Sequence, residues 1–341
     1  MRRRRYGTIN QALLPLLFKT VLIVTLFSKN LYSISLTAQD DTPLFSIVIP
    51  TYNRLPLLQR TLESVFRIDY PNIEIIVVND GSPDGTDQYL QTLAAQNKIV
   101  YLKQSNKGPA VGRNLGIMEA NGELIAFLDD DCIPPADWLR RYGKIFREEK
   151  VAGCGGSSRT GSPATPYAEV NDEIVNFLKN ALNKVPSIMT PFLTSNNAAY
   201  RTSALKKVGG FDEHFTLGAE ERDLNFRLTQ SGEKLMYDPT IVIDHYNDAD
   251  FFGFIRHQFR QGKGSYLFYR SAMERYGKKP PMIPPGVYWR LITSPFNIHP
   301  FIGAMLHTLL IVVAQGAITA GYFFAFFKFR PTEPHRSEES T

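Results

Sequence analysis

Three consecutive aspartates, Asp129, Asp130 and Asp131, close the apolar run Leu124-Ile125-Ala126-Phe127-Leu128. Five apolar residues bounded by polar ones predict a short buried strand in a parallel sheet. Carboxylates crowded at the end of such a strand repel one another, and a divalent cation or strong donors must offset that cost. Alternation along extended chain predicts Asp129 and Asp131 on one face and Asp130 on the other. A second acidic group, Glu220-Glu221-Arg222-Asp223, opens a helical pattern. Acids at a helix start stabilise the helix dipole in any protein, and Asp80 before Gly81 is an ordinary turn signal. Each of these groups gains meaning only from where the others stand.

The surrounding elements set that placement. Phe45–Ile49 reads as a strand ending at Pro50, Pro56–Phe66 as helix, and Ile73–Val78 as a strand stopped by Asn79-Asp80-Gly81. Thr86–Gln96 reads as helix, Ile99–Lys103 as strand and Gly108–Glu119 as helix, before the strand that carries the aspartates. Alternating strands and helices predict an α/β fold with a mostly parallel sheet covered on both faces. Ligands of such folds bind at the carboxyl ends of the strands. The polar groups Thr51-Tyr52-Asn53-Arg54, Asn79-Asp80 and the three aspartates all fall there. Residues 151–275 are less regular, with a glycine-rich loop or bulged strand at Gly153–Gly156 and an amphipathic helix over Phe251–Tyr276.

The ordered set resembles the family 2 inverting glycosyltransferases over roughly residues 44–270. Ile47-Val48-Ile49-Pro50-Thr51-Tyr52-Asn53-Arg54 is similar to that family's first strand and nucleotide-binding loop. Val77-Val78-Asn79-Asp80-Gly81-Ser82 is similar to its second, which implies that Asp80 meets the base. Asn106-Lys107-Gly108-Pro109 through Arg113-Asn114 matches a glycine-rich segment before a helix, whose N-terminus favours an anion. The resemblance implies that Lys107 and Arg113 lie near the nucleotide-sugar, and that Arg113 meets the diphosphate or the acidic cluster. The aspartates match the family's DxD element, implying Asp129 toward the ribose, Asp130 beside it and Asp131 on a metal.

Thr194–Arg201 and Val208-Gly209-Gly210-Phe211-Asp212 resemble segments near donor sugar and acceptor. Glu220-Glu221 resembles an acidic motif, commonly Glu-Asp, whose second carboxylate is the catalytic base. That position is Glu221 here, with Glu220 as the alternative. His245 resembles a histidine near metal or diphosphate. The resemblance therefore implies a GT-A fold, Rossmann-like with a mixed, mostly parallel sheet flanked by helices. It also implies a nucleotide-sugar donor, a divalent metal (Mg²⁺ or Mn²⁺) and transfer with inversion to a saccharide or lipid-linked acceptor. Transfer to a polyprenyl phosphate and a catalytically inactive sugar-nucleotide binding protein are the alternatives. Gln258-Phe259-Arg260-Gln261-Gly262 lacks the tryptophan of the Q-x-x-R-W element of processive synthases, which argues against a polymerising enzyme. A nucleotidyltransferase would need a G-x-G-x-R loop where Pro50-Thr51-Tyr52-Asn53 stands.

The remaining sequence concerns location. Phe301–Phe327 contains no Asp, Glu, Lys or Arg and is long enough to span hydrocarbon as a helix. Arg2–Arg5, beside an apolar stretch from Ala12 to Phe27, fit anionic headgroups better than nucleic acid. No zinc-finger spacing and no aromatic-interleaved basic stripe occur, so nucleic acid is not an expected partner. Cys132 and Cys154 give no disulfide framework. The expected order is a basic N-terminus with an interfacial or anchor segment over 1–43, then a nucleotide-sugar half over 44–150 and an acceptor and catalytic half over 151–277. A Pro-rich linker over 278–300, a transmembrane helix over 301–327 and a polar tail over 328–341 complete it. The expected location is the inner cell membrane, with the catalytic domain facing the cytoplasm.

Overall fold

The computed structural model describes residues 42–161, 163–183, 192–216, 218–246, 250–277, 279–280 and 283–329. Arg2–Arg5, the apolar stretch 12–27 and residues 330–341 of the polar tail lie outside the described residues, while Lys328 closes the last helix. Strands β1 (Phe45–Thr51), β2 (Ile73–Asn79), β3 (Val100–Lys103) and β4 (Leu124–Leu128) alternate with helices α1 (Leu55–Val65), α2 (Thr86–Ala95) and α3 (Pro109–Glu119). These are the expected elements, shifted by a residue or so at their ends. Next come β5 (Cys132–Ile133), α4 (Trp138–Glu148), β6 (Gly153–Thr160), α5 (Pro166–Leu182), β7 (Asn197–Arg201) and α6 (Thr202–Lys207). Then follow α7 (Glu220–Gln230), β8 (Leu235–His245), α8 (Phe251–Tyr276), α9 (Pro285–Thr293), a 3₁₀ turn (Ser294–Asn297) and α10 (Phe301–Lys328).

All eight strands form one sheet in the order β3-β2-β1-β4-β7-β6-β8-β5. The β1–β2, β2–β3, β1–β4 and β6–β8 pairs are parallel; β7 runs antiparallel to β4 and β6, and β5 antiparallel to β8. The two halves anticipated at residue 150 are therefore continuous through β7. One core fills the α1/α2/α4 face, where Trp138 and Tyr142 are fully buried, and another fills the α3/α7 face around Phe127, Tyr200 and Phe211. Strands buried on both faces need continuous apolar runs, which β4 carries throughout, β1 over Ile47–Pro50 and β2 over Ile75–Val78.

Two stretches differ from their sequence reading. The three aspartates do not alternate between faces, because β4 stops at Leu128 and Cys132 N closes a turn onto Asp129 O at 3.2 Å. The linker read over 278–300 holds the helix α9, started by Pro285 at a position where a missing N–H costs nothing. Val287 and Leu291 bury its inner side.

A third layer is built by α5, α8, α9 and α10, sharing Val170, Ile174, Leu178, Phe254, Leu291, Ile311 and Ala314. Helix α10 packs along its length. Ala304, His307, Ile311, Ala314, Gly321 and Ala325 recur at helical spacing on its buried side. A Cβ on Gly262 of α8 would lie 1.9 Å from Ile318 O, and one on Gly321 would lie 2.1 Å from Phe259 O, so these two backbones touch only because both residues are glycine. The opposite side of α10 exposes Phe301, Ile302, Met305, Leu309, Val312, Phe323 and Phe327. Among the described residues, α10 is the one helix long and apolar enough to cross a membrane.

Candidate active site

The carboxyl ends of β1, β2 and β4 gather the polar groups expected there. Thr51 Oγ1 donates to Asp130 Oδ2 at 2.7 Å, and Thr61 Oγ1 donates to the Asp130 carbonyl at 2.9 Å. Arg54 NH1 lies 2.9 Å from Asp131 Oδ2 and 3.3 Å from Asp130 Oδ1. Asp129 turns the other way, to Arg113 NH2 at 2.8 Å. One arginine thus serves Asp130 and Asp131 together, and another serves Asp129. Burial, with Asp131 and Asp129 nearby, raises the Asp130 carboxyl to about 6 against the opposing pull of Arg54 and Thr51. Burial would also raise Asp131, but His245, Arg54 and Cys132 hold it below its ordinary value.

Pro50 is half-buried between the buried Ile49 and Thr51, and Tyr52 is half-exposed beyond them. Asn53 takes a left-handed backbone, φ 54°, and its N–H donates to Ser82 Oγ, tying the β1 loop to the β2 loop. Asp80 is buried. Its carboxylate accepts from Gln104 Nε2 at 2.8 Å, Lys107 N at 2.7 Å and Gly108 N at 2.8 Å. It therefore fixes the entry to α3, and with it the helix that carries Arg113. Lys107 contributes its backbone to this clasp while its side chain points to solvent.

Arg113 is buried between two acids. NH2 meets Asp129, NH1 meets Glu220 Oε1 at 3.2 Å, and the guanidinium lies 5.6 Å from the centre of the Phe211 ring. That contact accounts for the Gly-Gly-Phe-Asp segment beside the site. Arg113 Nε and Glu220 Oε2 are buried with no hydrogen-bond partner among the described residues. Burial and the adjacent Glu221 push the Glu220 carboxyl up to about 7, overcoming the attraction of Arg113.

Glu221 faces elsewhere. Its Oε1 accepts from Ser195 Oγ at 2.8 Å, and it lines a cavity of about 110 Å³ with Thr194, Arg222, His257, Gln258 and Gln261. The turn that leads into the two acids is unusual: Gly218 and Ala219 have φ of 101° and 72°. A positive φ in alanine is uncommon and concentrates at functional loops. Gly264 of α8 admits this turn, since a Cβ there would lie 2.4 Å from Gly218 O. Of the matched Asn196-Asn197 pair, Asn197 serves the core: it accepts from Trp138 Nε1 and Tyr142 OH and donates to Ser157 O and Ile241 O.

His245 stands beside the aspartates because β5 pairs with β8 in a register that opposes Cys132 to His245, with Tyr246 N donating to Asp131 O. Its Nε2 lies 3.6 Å from Asp131 Oδ1, and its Nδ1 lies 2.9 Å from Asp172 Oδ1. Burial lowers its pKa, but the two carboxylates outweigh burial and raise it to about 10. Asp172 also accepts from Thr160 Oγ1, at 2.8 Å. Asp172 and the fully buried Lys179, both on α5, were not singled out by the sequence. Burial lowers the Lys179 pKa to about 8 against the attraction of Asp172, and its Nζ donates to Gly156 O.

Asp131, Cys132 and His245 bring potential metal-ligand atoms within 4.8 Å of one another. Cys132 is the weakest donor of the three, since burial pushes its thiol well above its usual value and only the thiolate binds metals. Asp131 and His245 remain, an oxygen and an imidazole donor set that suits a divalent ion.

Residues 46–209 match the glycosyl transferase family 2 model. The chain is 30% identical over 229 residues to a glycosyltransferase, AglE, of Haloferax volcanii, covering 65% of this chain and 73% of that protein. The chain belongs to glycosyl transferase family 2. A pre-mycofactocin glycosyltransferase of Mycobacterium tuberculosis is 29% identical over 207 residues, 59% of this chain and 42% of its own length. Among solved structures, a mannosyltransferase from Pyrobaculum calidifontis, in complex with GDP-Man and Mn²⁺, superposes with a TM-score of 0.61. It is 20% identical, over 84% of this chain and 88% of that one, a likeness of fold. The glycosyltransferase fold expected from the motifs is thus the fold found, a GT-A-like mixed sheet flanked by helices.

Proposed function

We propose that this glycosyltransferase moves a sugar from a nucleoside-diphosphate sugar to an acceptor hydroxyl with inversion, and that Glu221 is the general base. The observation that carries this reading is the sorting of the two neighbouring acids on α7. Glu220 is buried on Arg113 with its carboxyl pushed up to about 7, whereas Glu221 opens on a cavity and is oriented by Ser195. A base must reach the hydroxyl it deprotonates, and Glu221 lines space for one whereas Glu220 is buried. Removal of the proton as the oxygen attacks C1 from the face opposite the leaving group gives inversion in one displacement.

Asp80 and the β1 loop would take the nucleotide, Asp129 and Asp130 its ribose side, and Arg54, Lys107 and Arg113 the diphosphate. Asp131 and His245 would hold Mg²⁺ or Mn²⁺, which supplies positive charge to the departing diphosphate. His245 fits that duty: Asp172 takes its Nδ1 side, which turns Nε2 toward Asp131, the usual way a carboxylate orients a metal-binding imidazole. The Pyrobaculum enzyme's GDP-Man and Mn²⁺ belong to the same classes of donor and ion.

The acceptor we propose is a saccharide or a lipid-linked one. Arg222 favours the second form, including a polyprenyl phosphate. It lines the cavity beside Glu221, touches Ser265 Oγ and the Phe192 ring, and forms no ion pair among the described residues. An anionic acceptor would complete it. A membrane partner follows from the exposed apolar side of α10. Because α10 is packed along one side, on α8 and at its start on α5, and α8 carries Arg256, Arg260, Lys263, Arg270 and Arg275, we favour a helix lying in the membrane interface over one that spans it. The domain would then face the cytoplasm, where nucleotide-sugars are made.

Screening donor hydrolysis and transfer across nucleotide-sugars with Mg²⁺ or Mn²⁺ tests this reading. Turnover of at least one donor that EDTA abolishes is expected. Nucleotide-sugar binding without turnover of any donor would leave the inactive binding protein as the better account.

A further inference from the structure

A second group of ligand-type side chains lies away from the catalytic residues, where the start of α10 meets α5. Glu169 and Glu173 are one turn apart on α5, so both carboxylates face the same way. His299 precedes α10, and His307 lies on its second turn. His299 Nε2 faces Glu173 Oε1, and His307 Nδ1 lies 3.1 Å from both Glu173 oxygens. The other nitrogen of His307, Nε2, lies 3.5 Å from Glu169 Oε2. The two imidazole rings are 4.0 Å apart, and His307 is buried.

Hydrogen bonding alone serves this arrangement badly. A neutral imidazole has one N–H and one lone pair, yet both nitrogens of His307 face carboxylates. One of them then directs a lone pair at a negative oxygen. A second ring, that of His299, also faces Glu173. A cation shared by His299 Nε2, His307 Nδ1 and Glu173 removes the conflict. His307 Nε2–H is then free to donate to Glu169, the carboxylate–histidine–metal relation that fixes a ligand's tautomer.

We propose that Glu173, His299 and His307 form a metal site that takes a zinc-class transition ion and fastens the start of α10 to α5. The ligand atoms already lie within 4.8 Å of one another. In a tetrahedral zinc site with bonds of about 2.0–2.2 Å, neighbouring ligand atoms are roughly 3.4 Å apart, close to the 3.1 Å between His307 Nδ1 and Glu173. Two imidazoles with one carboxylate select Zn²⁺ and its neighbours over Mg²⁺ or Ca²⁺. The site is independent of the glycosyltransferase reading, since it shares no residue with the catalytic cluster. Its consequence is mechanical: the apolar helix is clamped at its first turns by a bond stronger than packing.

The test uses the full chain, in a His245→Gln background so that the catalytic cluster does not compete. Cobalt titration should give one equivalent bound with the visible absorption of a low-coordinate site, and Zn²⁺ should displace it and raise Tm by several degrees. His299→Gln and Glu173→Gln should each abolish the cobalt spectrum and the Zn²⁺-dependent rise. If either variant fails to fold, Glu169→Gln substitutes, with metal affinity expected to fall about 10–100-fold through loss of the orienting carboxylate. No cobalt spectrum in the parent protein, an unchanged spectrum in His299→Gln or Glu173→Gln, or unchanged affinity in Glu169→Gln would overturn the site and leave a cluster held together by protons.

Discussion

At the end of β4, three carboxylates share two arginines, whereas on the first turn of α7 two carboxylates divide one arginine unequally. Asp130 and Asp131 both lean on Arg54, and Asp129 on Arg113. On α7, Glu220 takes the other side of Arg113 and Glu221 is left to Ser195 and the cavity. The first arrangement gathers three carboxylates at one strand end, where we propose the metal binds. The second separates two chemically similar acids, so that one holds Arg113 and the other lines a cavity. Arg113 joins the two regions, buried between Asp129 and Glu220.

Three substitutions sharpen that contrast. The largest effect among them is expected at Asp172, which reaches the cluster only through His245 Nδ1. Asp172→Asn keeps the shape but weakens the hold on His245 Nδ1, and metal affinity should fall about 10–100-fold. The divalent-ion concentration needed for half-maximal transfer reads this directly; an unchanged requirement would remove His245 from the metal site. Asp80→Ala comes next. It removes three hydrogen bonds that a charged group makes to Gln104, Lys107 and Gly108. Nucleotide affinity by calorimetry should drop by about tenfold, one such bond's worth. A lower Tm with unchanged affinity would restrict Asp80 to holding the loop.

The smallest effect concerns Glu220. Its folded pKa of about 7 lies above the ordinary 4.5, so the folded protein keeps a proton that the unfolded chain releases. The stability this contributes is fully present below about pH 4.5 and is lost as pH rises through about 7. Glu220→Gln cannot ionise, and its Tm should hold better than the parent's between pH 5 and pH 8, by about a few degrees. Parallel Tm curves for the two proteins would show that Glu220 is ionised throughout.

The β4 region was more legible in the sequence than the α5 and α7 regions, for a physical reason. Strands β1, β2 and β4 carry contiguous apolar runs, and each delivers its polar residues at its own carboxyl end, so order along the chain gives position in space. The faces of Asp129–Asp131 were misread because the alternation rule was carried past Leu128, where extended chain gives way to a turn. Asp172, Lys179 and Glu173 lie in mid-helix and acquire partners only through tertiary packing. Even so, α5 announced itself: Thr165 caps it, Pro166 occupies its first turn and Glu169 follows, a start signal hidden by the glycine- and serine-rich residues before it. The pairing of Ser195 with Glu221 spans 26 residues and has no local signature. For α10, length and composition were readable, but its close fit to α8 depends on Gly262 and Gly321 meeting across sequence.

The division of labour on α7 is the central claim, and transfer rates of Glu221→Gln and Glu220→Gln, measured alongside donor affinity, test it most directly. Glutamine keeps volume and hydrogen bonding but accepts no proton. General-base assistance contributes about 10²–10⁴ in rate, so Glu221→Gln should lose turnover by that factor with donor affinity nearly unchanged, while Glu220→Gln loses much less. The reverse ranking, or small and equal losses in both, would contradict the assignment.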